Sequence, residues 1–412
     1  MKIRAWFFRT LMLVGAVLGV VPPAVADSGS RLVQNVSPGD SIQAAIDRAA
    51  EGGWVFVQPG TYQETAHRTN GLIITRGVHL VGLSTPNRKV VLKNSGSQLN
   101  GIVAVPAAHT DCMSCHSSMA PPFALLPGVN RTISVQPVIY GLSITGITIQ
   151  DFINNGLFTR RVSDFRFVDV HSVGNKNYGI FPTLSKNGLI AHSSASGAND
   201  SGIWIETSEN VAATHNLVEG NVVGFEVSNS DDILLAHNEA RGNSVGMAIM
   251  FLPDIFAERP DIQRITIRNN HIHDNNKVNT APPGSPLSIV PSSMGIFHLG
   301  ADDSLITENV IENHNFLGIG IADYCLVLAG GPLDCSSDPR VSPGFVLDNA
   351  ASNNRVLRNR LRNNGTNPAP TNPFAFAASD IALLTLGDNG NCFQGNTFTR
   401  FFSTLGFLPA CR

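Results

Sequence analysis

Gly179-Ile-Phe-Pro, Gly202-Ile-Trp-Ile, Gly224-Phe-Glu-Val and Gly246-Met-Ala-Ile repeat one short pattern. Their glycines lie 23, 22 and 22 residues apart, and Gly156 precedes Gly179 by 23. Gly295-Ile-Phe-His and Gly318-Ile-Gly-Ile resume the spacing of 23. Apolar residues fall at the first and third positions after each Gly, the period of two of a strand with one buried face. His298 is the exception at the third position. A fixed period of this length marks a repeat architecture. Three short strands and three turns per ~22 residues predict one coil of a right-handed parallel β-helix. The fold class read from the chain is therefore an all-β, single-stranded solenoid.

Other columns keep step with the glycines. Eight residues on stand Asp164, Asn187, Asn210, Asp232 and Asp303, types that tolerate left-handed turns. Fourteen residues on stand Asn216, Asn238 and Asn309, and local pattern adds Asn269 and Asn359. Such amides can bond up and down a stack. Asp231-Asp232 and Asp302-Asp303 suggest calcium ligands, but they fill the same turn slot as Lys186-Asn187 and Glu209-Asn210, so the turn reading is preferred. Thirteen residues on stand Asp169, His192, His215, His237 and Glu308, with Arg268 and Arg358 by pattern. Three stacked histidines could bind a metal. On one strand edge their Cβ atoms fall in line, whereas a closed site needs converging ligands, so this column reads as a polar face and no metal is assigned.

The amino end carries a secretory signal. Lys2, Arg4 and Arg9 precede the apolar run Leu11 to Val21, and Ala24-Val25-Ala26 is a small-x-small cleavage site. Cleavage after Ala26 predicts a periplasmic or secreted chain, 27–412, forming one β-helix domain. No later run reaches the ~18 apolar residues of a membrane span. Asp40 to Ala49 places Ile42, Ala45, Ile46 and Ala49 at helical spacing, a helix that could cap the open end of the solenoid. Charged residues make up 14% of the chain, against ~25% in ordinary soluble domains. The net charge of −3 offers no electrostatic case for nucleic acid.

Export favours disulfides among the six cysteines, and sequence proximity pairs Cys325 with Cys335 and Cys392 with Cys411. Cys112-Met-Ser-Cys115-His116 has the form of a c-type haem attachment site: both cysteines would form thioethers and His116 would be an axial ligand. The surrounding insertion, 106–131, is small for wrapping a haem, and a local disulfide is the alternative. A second insertion, 275–293, lies in the 49-residue step from Gly246 to Gly295. Loops of that length are usually walls or lids of sites.

The cap helix, the turn Pro59-Gly-Thr-Tyr62 and the Gly-apolar-x-apolar coils resemble the pectin-lyase-like superfold. Tyr178-Gly-Ile-Phe-Pro, Asp200-Ser-Gly-Ile-Trp, Gly224-Phe-Glu-Val-Ser-Asn-Ser and Phe251-Leu-Pro resemble secreted bacterial parallel β-helix repeat proteins of that superfold. The resemblance covers about residue 38 to the end. It implies the β-helix, and relatives that include pectate lyases, alginate epimerases and polygalacturonases. It does not choose among their activities. The paired carboxylates of polygalacturonases would fall just before the Gly strands, where only Asp200 is acidic among Asn177-Tyr178, Asp200-Ser201, Val222-Val223 and Ser244-Val245. The Asp-Pro-His-Asp stretch of alginate epimerases is absent.

A polysaccharide lyase needs a base beside the uronate carboxyl and neutralisation of that carboxyl. Candidate catalytic residues are Asp200, Glu226, Lys176 and Tyr178, with Ca²⁺ as a possible cofactor. Phe181 and Trp204 stand two residues after their glycines, where side chains should face outward as an aromatic platform for sugar. Glu206 and Lys277 complete the expected substrate-binding set. The leading reading is an exported protein acting on or binding an acidic polysaccharide, most plausibly by lyase chemistry. Its rivals are a non-catalytic carbohydrate- or partner-binding solenoid and a haem c-bearing periplasmic accessory protein.

Overall fold

A computed structural model describes residues 31–107, 138–252, 261–327, 348 and 350–412. The strands stack in parallel into a β-helix. An 11-stranded sheet takes one strand from each coil, from Asn70–Ile74 to Phe401–Ser403. The other strands form a 22-stranded sheet that wraps the remaining faces. The chain opens on strand Val33–Val36 and then the cap helix Ile42–Arg48, with Ser41 Oγ accepting from Ala44 N at 3.1 Å. Ile42, Ala45 and Ile46 are buried against the first coils, as their spacing requires.

The 11-stranded sheet contributes two rows of inward side chains to the solenoid's core. One row runs Ile203, Phe225, Met247, Ile296 and Ile319 in register. The next runs Ile205, Val227, Ile249, His298 and Ile321. His298, the one break in the sequence pattern, therefore sits inside the apolar core with no exposed surface.

Turns are held by side-chain ladders. Asn216 Nδ2 donates to Asn238 Oδ1 (3.1 Å), Asn238 to Asn270 (3.1 Å), Asn270 to Asn309 (2.9 Å) and Asn309 to Asn359 (2.9 Å). The member from the inserted coil is Asn270, not Asn269. Ala236 pairs with Arg268, which puts Asn269 level with His237 and moves the expected Arg268 out of the histidine column. Asn238 Oδ1 also accepts from Asn216 N (2.9 Å), and its Nδ2 also donates to Ala213 O (2.9 Å). Asn238→Ala strands these buried partners, so it is expected to cost about 1–3 kcal/mol. Chemical denaturation measures this, and an unchanged midpoint would count against the ladder.

A second ladder, not read from the sequence, runs Asn221, Asn243, Asn275, His314 and Asn364. It explains the glycine column. A Cβ on Gly202 would lie 2.7 Å from Asn221 Nδ2 and 2.9 Å from Gly224 O. The pattern Asn-x-x-Gly in Asn221 to Gly224 and Asn243 to Gly246 was the available signal. Asp164, Asn187, Asn210, Asp232 and Asp303 all have φ between 49° and 58°, the left-handed turns anticipated for them.

The 49-residue step is split in two. Across it, neighbouring ladder residues stand 32 and then 39 residues apart, against 22 for a normal coil. The second insertion carries the 3-10 helix Pro286–Ile289 and is tied back by Asn279 Nδ2, which donates to Leu287 O and Val290 O. Cys392 and Cys411 are disulfide-bonded as expected. Cys325 is also disulfide-bonded, and Cys335 lies outside the described residues.

Candidate functional site

The outward column of the 11-stranded sheet differs from the expected open platform. Strands Ser201–Glu206, Val223–Ser228 and Val245–Met250 are buried on both faces. Phe181 is 1% exposed and Trp204 4%, too little to present a ring to a sugar. Instead the two rings stack on each other, with centroids 4.3 Å apart and planes 4° apart, and Tyr178 tilts against both at 4.7 and 4.6 Å. Trp204 Nε1 donates to Ser228 Oγ at 2.7 Å. Aromatic side chains this well partnered are packing, not a bare surface.

Beside this stack the coil register gathers acids. Ser201, Trp204 and Glu206 come from one strand, and Trp204 is directly paired with Glu226 of the next. The Ser201 hydroxyl donates to Glu226 Oε2 and lies 3.1 Å from Asp200 Oδ1. Tyr178 hydrogen-bonds to Asp200. Thr183 Oγ1 donates to Glu206 Oε2 at 2.5 Å. Burial raises the Asp200 carboxyl to about 7, against the opposing hydrogen bonds from Ser201 and Tyr178. Burial also holds Glu226 well above its ordinary value, with the Asp200 and Glu206 charges adding to it. Tyr178 is raised by burial and then by the three neighbouring acids. Asp200 thus lies next to two groups whose own values burial pushes upward.

Of the expected set, Asp200, Glu226, Tyr178 and Glu206 come together, with Phe181 and Trp204 as their packing. Ser201, the hydroxyl between the carboxyls, was missed, although its place beside Asp200 ahead of Gly202 was visible. The lysines do not join the cluster. Lys176 is exposed, and Lys277 Nζ donates to the turn carbonyl of Gly220 at 2.5 Å. Neither forms an ion pair with Asp200 or Glu226. Cys112, Cys115 and His116 lie outside the described residues.

On the 22-stranded sheet, an open groove of about 690 Å³ is lined by His171, His192, His215, His237 and His271, with Glu239. Among the described residues, no three His, Cys, Asp or Glu side chains are grouped to close around a metal ion. No helix among them is long and apolar enough to cross a membrane.

No curated protein sequence matches the chain. Solved structures with the same fold include the A-module of the Azotobacter vinelandii mannuronan C-5 epimerase AlgE4 (17% identity, 88% of this chain and 90% of that one, TM-score 0.55). A Yersinia enterocolitica family 28 exopolygalacturonase aligns at 13% identity over 92% of this chain and 79% of its own, with TM-score 0.55. The tailspike protein of E. coli bacteriophage HK620, solved with a pentasaccharide, aligns at 11% identity over 88% and 58%, also at 0.55. At these identities the likeness is one of fold.

A family model described as periplasmic copper-binding protein (NosD) matches residues 142–400. The groove's imidazoles fit copper by donor type, though not as a closed cage. The match spans well over half of the chain and includes every coil that carries the acid cluster and the histidine column, so the chain belongs to this periplasmic family.

Proposed function

We propose that the chain acts on or binds an acidic polysaccharide outside the cytoplasm, by lyase-type chemistry centred on Asp200. The observation that carries this is the pair of buried carboxyls on adjacent coils, bridged by Ser201, with Asp200 titrating at about 7. Asp200 as carboxylate takes the proton beside a uronate carboxyl. The electrons of that C–H bond form the C=C bond, and the glycosidic C–O bond breaks. Glu226, whose value burial raises, donates as the acid to the substrate carboxyl and offsets the charge that builds there. Tyr178, also protonated, donates to the departing oxygen. The mannuronan epimerase and exopolygalacturonase of like fold support the substrate class.

Turnover on mannuronate- or galacturonate-containing polymers is followed by the ultraviolet absorbance of the unsaturated product. Its rate should rise with pH through about 7, as Asp200 loses its proton. Asp200→Asn should lower it by roughly 10²–10⁴-fold, the usual contribution of a positioned base. Activity indifferent to Asp200→Asn would overturn the assignment. The near-complete burial of both carboxyls favours a second reading, a non-catalytic carbohydrate- or partner-binding solenoid. Binding of these polymers without any turnover would select it.

A further inference from the structure

The histidine groove lies outside the acid cluster, and nothing in the proposed polysaccharide chemistry uses it. His192, His215 and His237 occupy the same turn position on three successive coils, with φ of 51°, 57° and 57°. Their rings stack, centroids 5.1 and 5.0 Å apart and planes within 22° and 16°. All three are exposed, and among the described residues their ring nitrogens have no hydrogen-bond or ion-pair partner. The other histidines of the groove are already engaged. His171 Nε2 lies 2.9 Å from Asp169 Oδ1, with Nδ1 2.8 Å from Ser194 Oγ, and His271 Nε2 lies 3.2 Å from Glu312 Oε1. No lysine or arginine is among the groove's lining residues, and the two arginines at its edge, Arg241 and Arg268, are hydrogen-bonded to Glu239 and Asn269.

We propose that this imidazole row is a docking site for a divalent transition metal, copper(II) before the others, held by His215 together with either His192 or His237. Two imidazoles bound at ~2.0 Å to one ion have their nitrogens ~3–4 Å apart. Rings stacked at 5.0–5.1 Å reach that separation by tilting toward each other, which exposed side chains on an open groove can do. Imidazole is a preferred ligand of copper and zinc, and among divalent ions copper(II) binds such nitrogens most strongly. Two ligands leave the remaining coordination positions to water or to an acceptor. The site is therefore shallow and exchangeable, which agrees with the lack of a closed three-ligand group. His215 belongs to both pairs, so the row holds one ion at a time. The family's description names copper without saying which residues hold it, and this row is a set of exposed imidazoles with free ring nitrogens among the described residues.

The test is titration of the mature chain, purified without a polyhistidine tag, with copper(II) sulfate by calorimetry and electron paramagnetic resonance. The wild type should bind one copper(II) with two imidazole nitrogens in its spectrum. His215→Asn should weaken binding by about tenfold or more, since it removes the shared ligand. Asn suits this turn, because Asn269 occupies the same slot with φ 54°. His192→Asn or His237→Asn alone should weaken binding only about twofold, because one pair survives. Circular dichroism of each variant confirms that the coils persist. Equal binding by wild type and His215→Asn would overturn the proposal. So would loss of binding in a Cys112→Ser, Cys115→Ser chain that keeps all three histidines.

Discussion

Replacing Trp204 with alanine is expected to destabilise the solenoid by about 3–5 kcal/mol, the range for removing a fully packed large aromatic. The ring is 4% exposed and lies against both Phe181 and Tyr178. Its removal opens a cavity between two coils whose backbones are fixed by the parallel ladder on either side. It also leaves Ser228 Oγ without the Trp204 Nε1 donor. Trp204→Phe is the informative control. It keeps most of the stack and loses the indole donor, so its cost should be about 1–3 kcal/mol. Urea denaturation of the three proteins measures both values. If Trp204→Ala left the midpoint unchanged while lowering affinity for an oligosaccharide, the ring would be an open platform after all, and the packing described here would be wrong. Tyr178 also loses a ring neighbour in Trp204→Ala, so its hydrogen bond to Asp200 loosens. Any Asp200-dependent activity should therefore fall in the variant even where it remains folded.

The register of the repeat explains why some of this was legible and some was not. A period of 22 or 23 residues with a residue-by-residue pattern places a side chain on a strand and on a face. That pattern alone brings Asp200, Glu226, Trp204 and Phe181 to one outer face. The same pattern has no information about what lies over that face. An outward side chain on a solenoid is exposed only if nothing packs over it, and the repeat does not say what does. The expected open groove failed at that point. Asn269 failed for a smaller reason. Arg268-Asn269-Asn270 offers two amides in sequence, and matching the first to the ladder shifts the register by one residue, which moves a side chain to the wrong side of the turn. The histidine column was placed correctly at His192, His215 and His237, because those coils are free of insertions. Whether its nitrogens were free or paired depends on the neighbouring column two residues on, where His171 meets Asp169 of its own coil and His271 meets Glu312 of the next coil. The second partner lies 41 residues away in the chain and could not be read from spacing alone.

Replacing His298 with leucine is expected to stabilise the protein, and by more as the pH falls. His298 occupies an inward position between Ile249 and Ile321, and among the described residues neither ring nitrogen has a hydrogen-bond partner. Burying unpaired polar atoms costs about 1–3 kcal/mol on the scale of protein substitutions, so an apolar side chain of similar size should recover that much at neutral pH. Burial lowers the ring's value from 6.5 to about 3. The unfolded chain therefore takes up a proton at this site below pH 6.5 while the folded chain does not. The site's contribution to stability is full above 6.5 and is lost progressively down to about 3, at about 1.4 kcal/mol per pH unit. His314 behaves similarly, lowered to about 4 by burial. Asn275 Nδ2 donates to its Nε2 and its Nδ1 donates to Asn364 Oδ1, an arrangement that requires the neutral ring. Asp200 and Asp302 act in the opposite sense. Each is raised to about 7 by burial, so the folded chain holds protons there that the unfolded chain releases above 3.8, and both gain stability as the pH falls from 7 to 3.8. The wild-type profile mixes these opposed slopes, and the difference between His298→Leu and wild type isolates one of them. That difference should widen by roughly 2–3 kcal/mol between neutral pH and about pH 4.5. Denaturation midpoints at the two pH values decide the matter. A difference that stays constant with pH would mean that the folded solenoid accepts a proton at His298, which an imidazole sealed in an apolar core does not do.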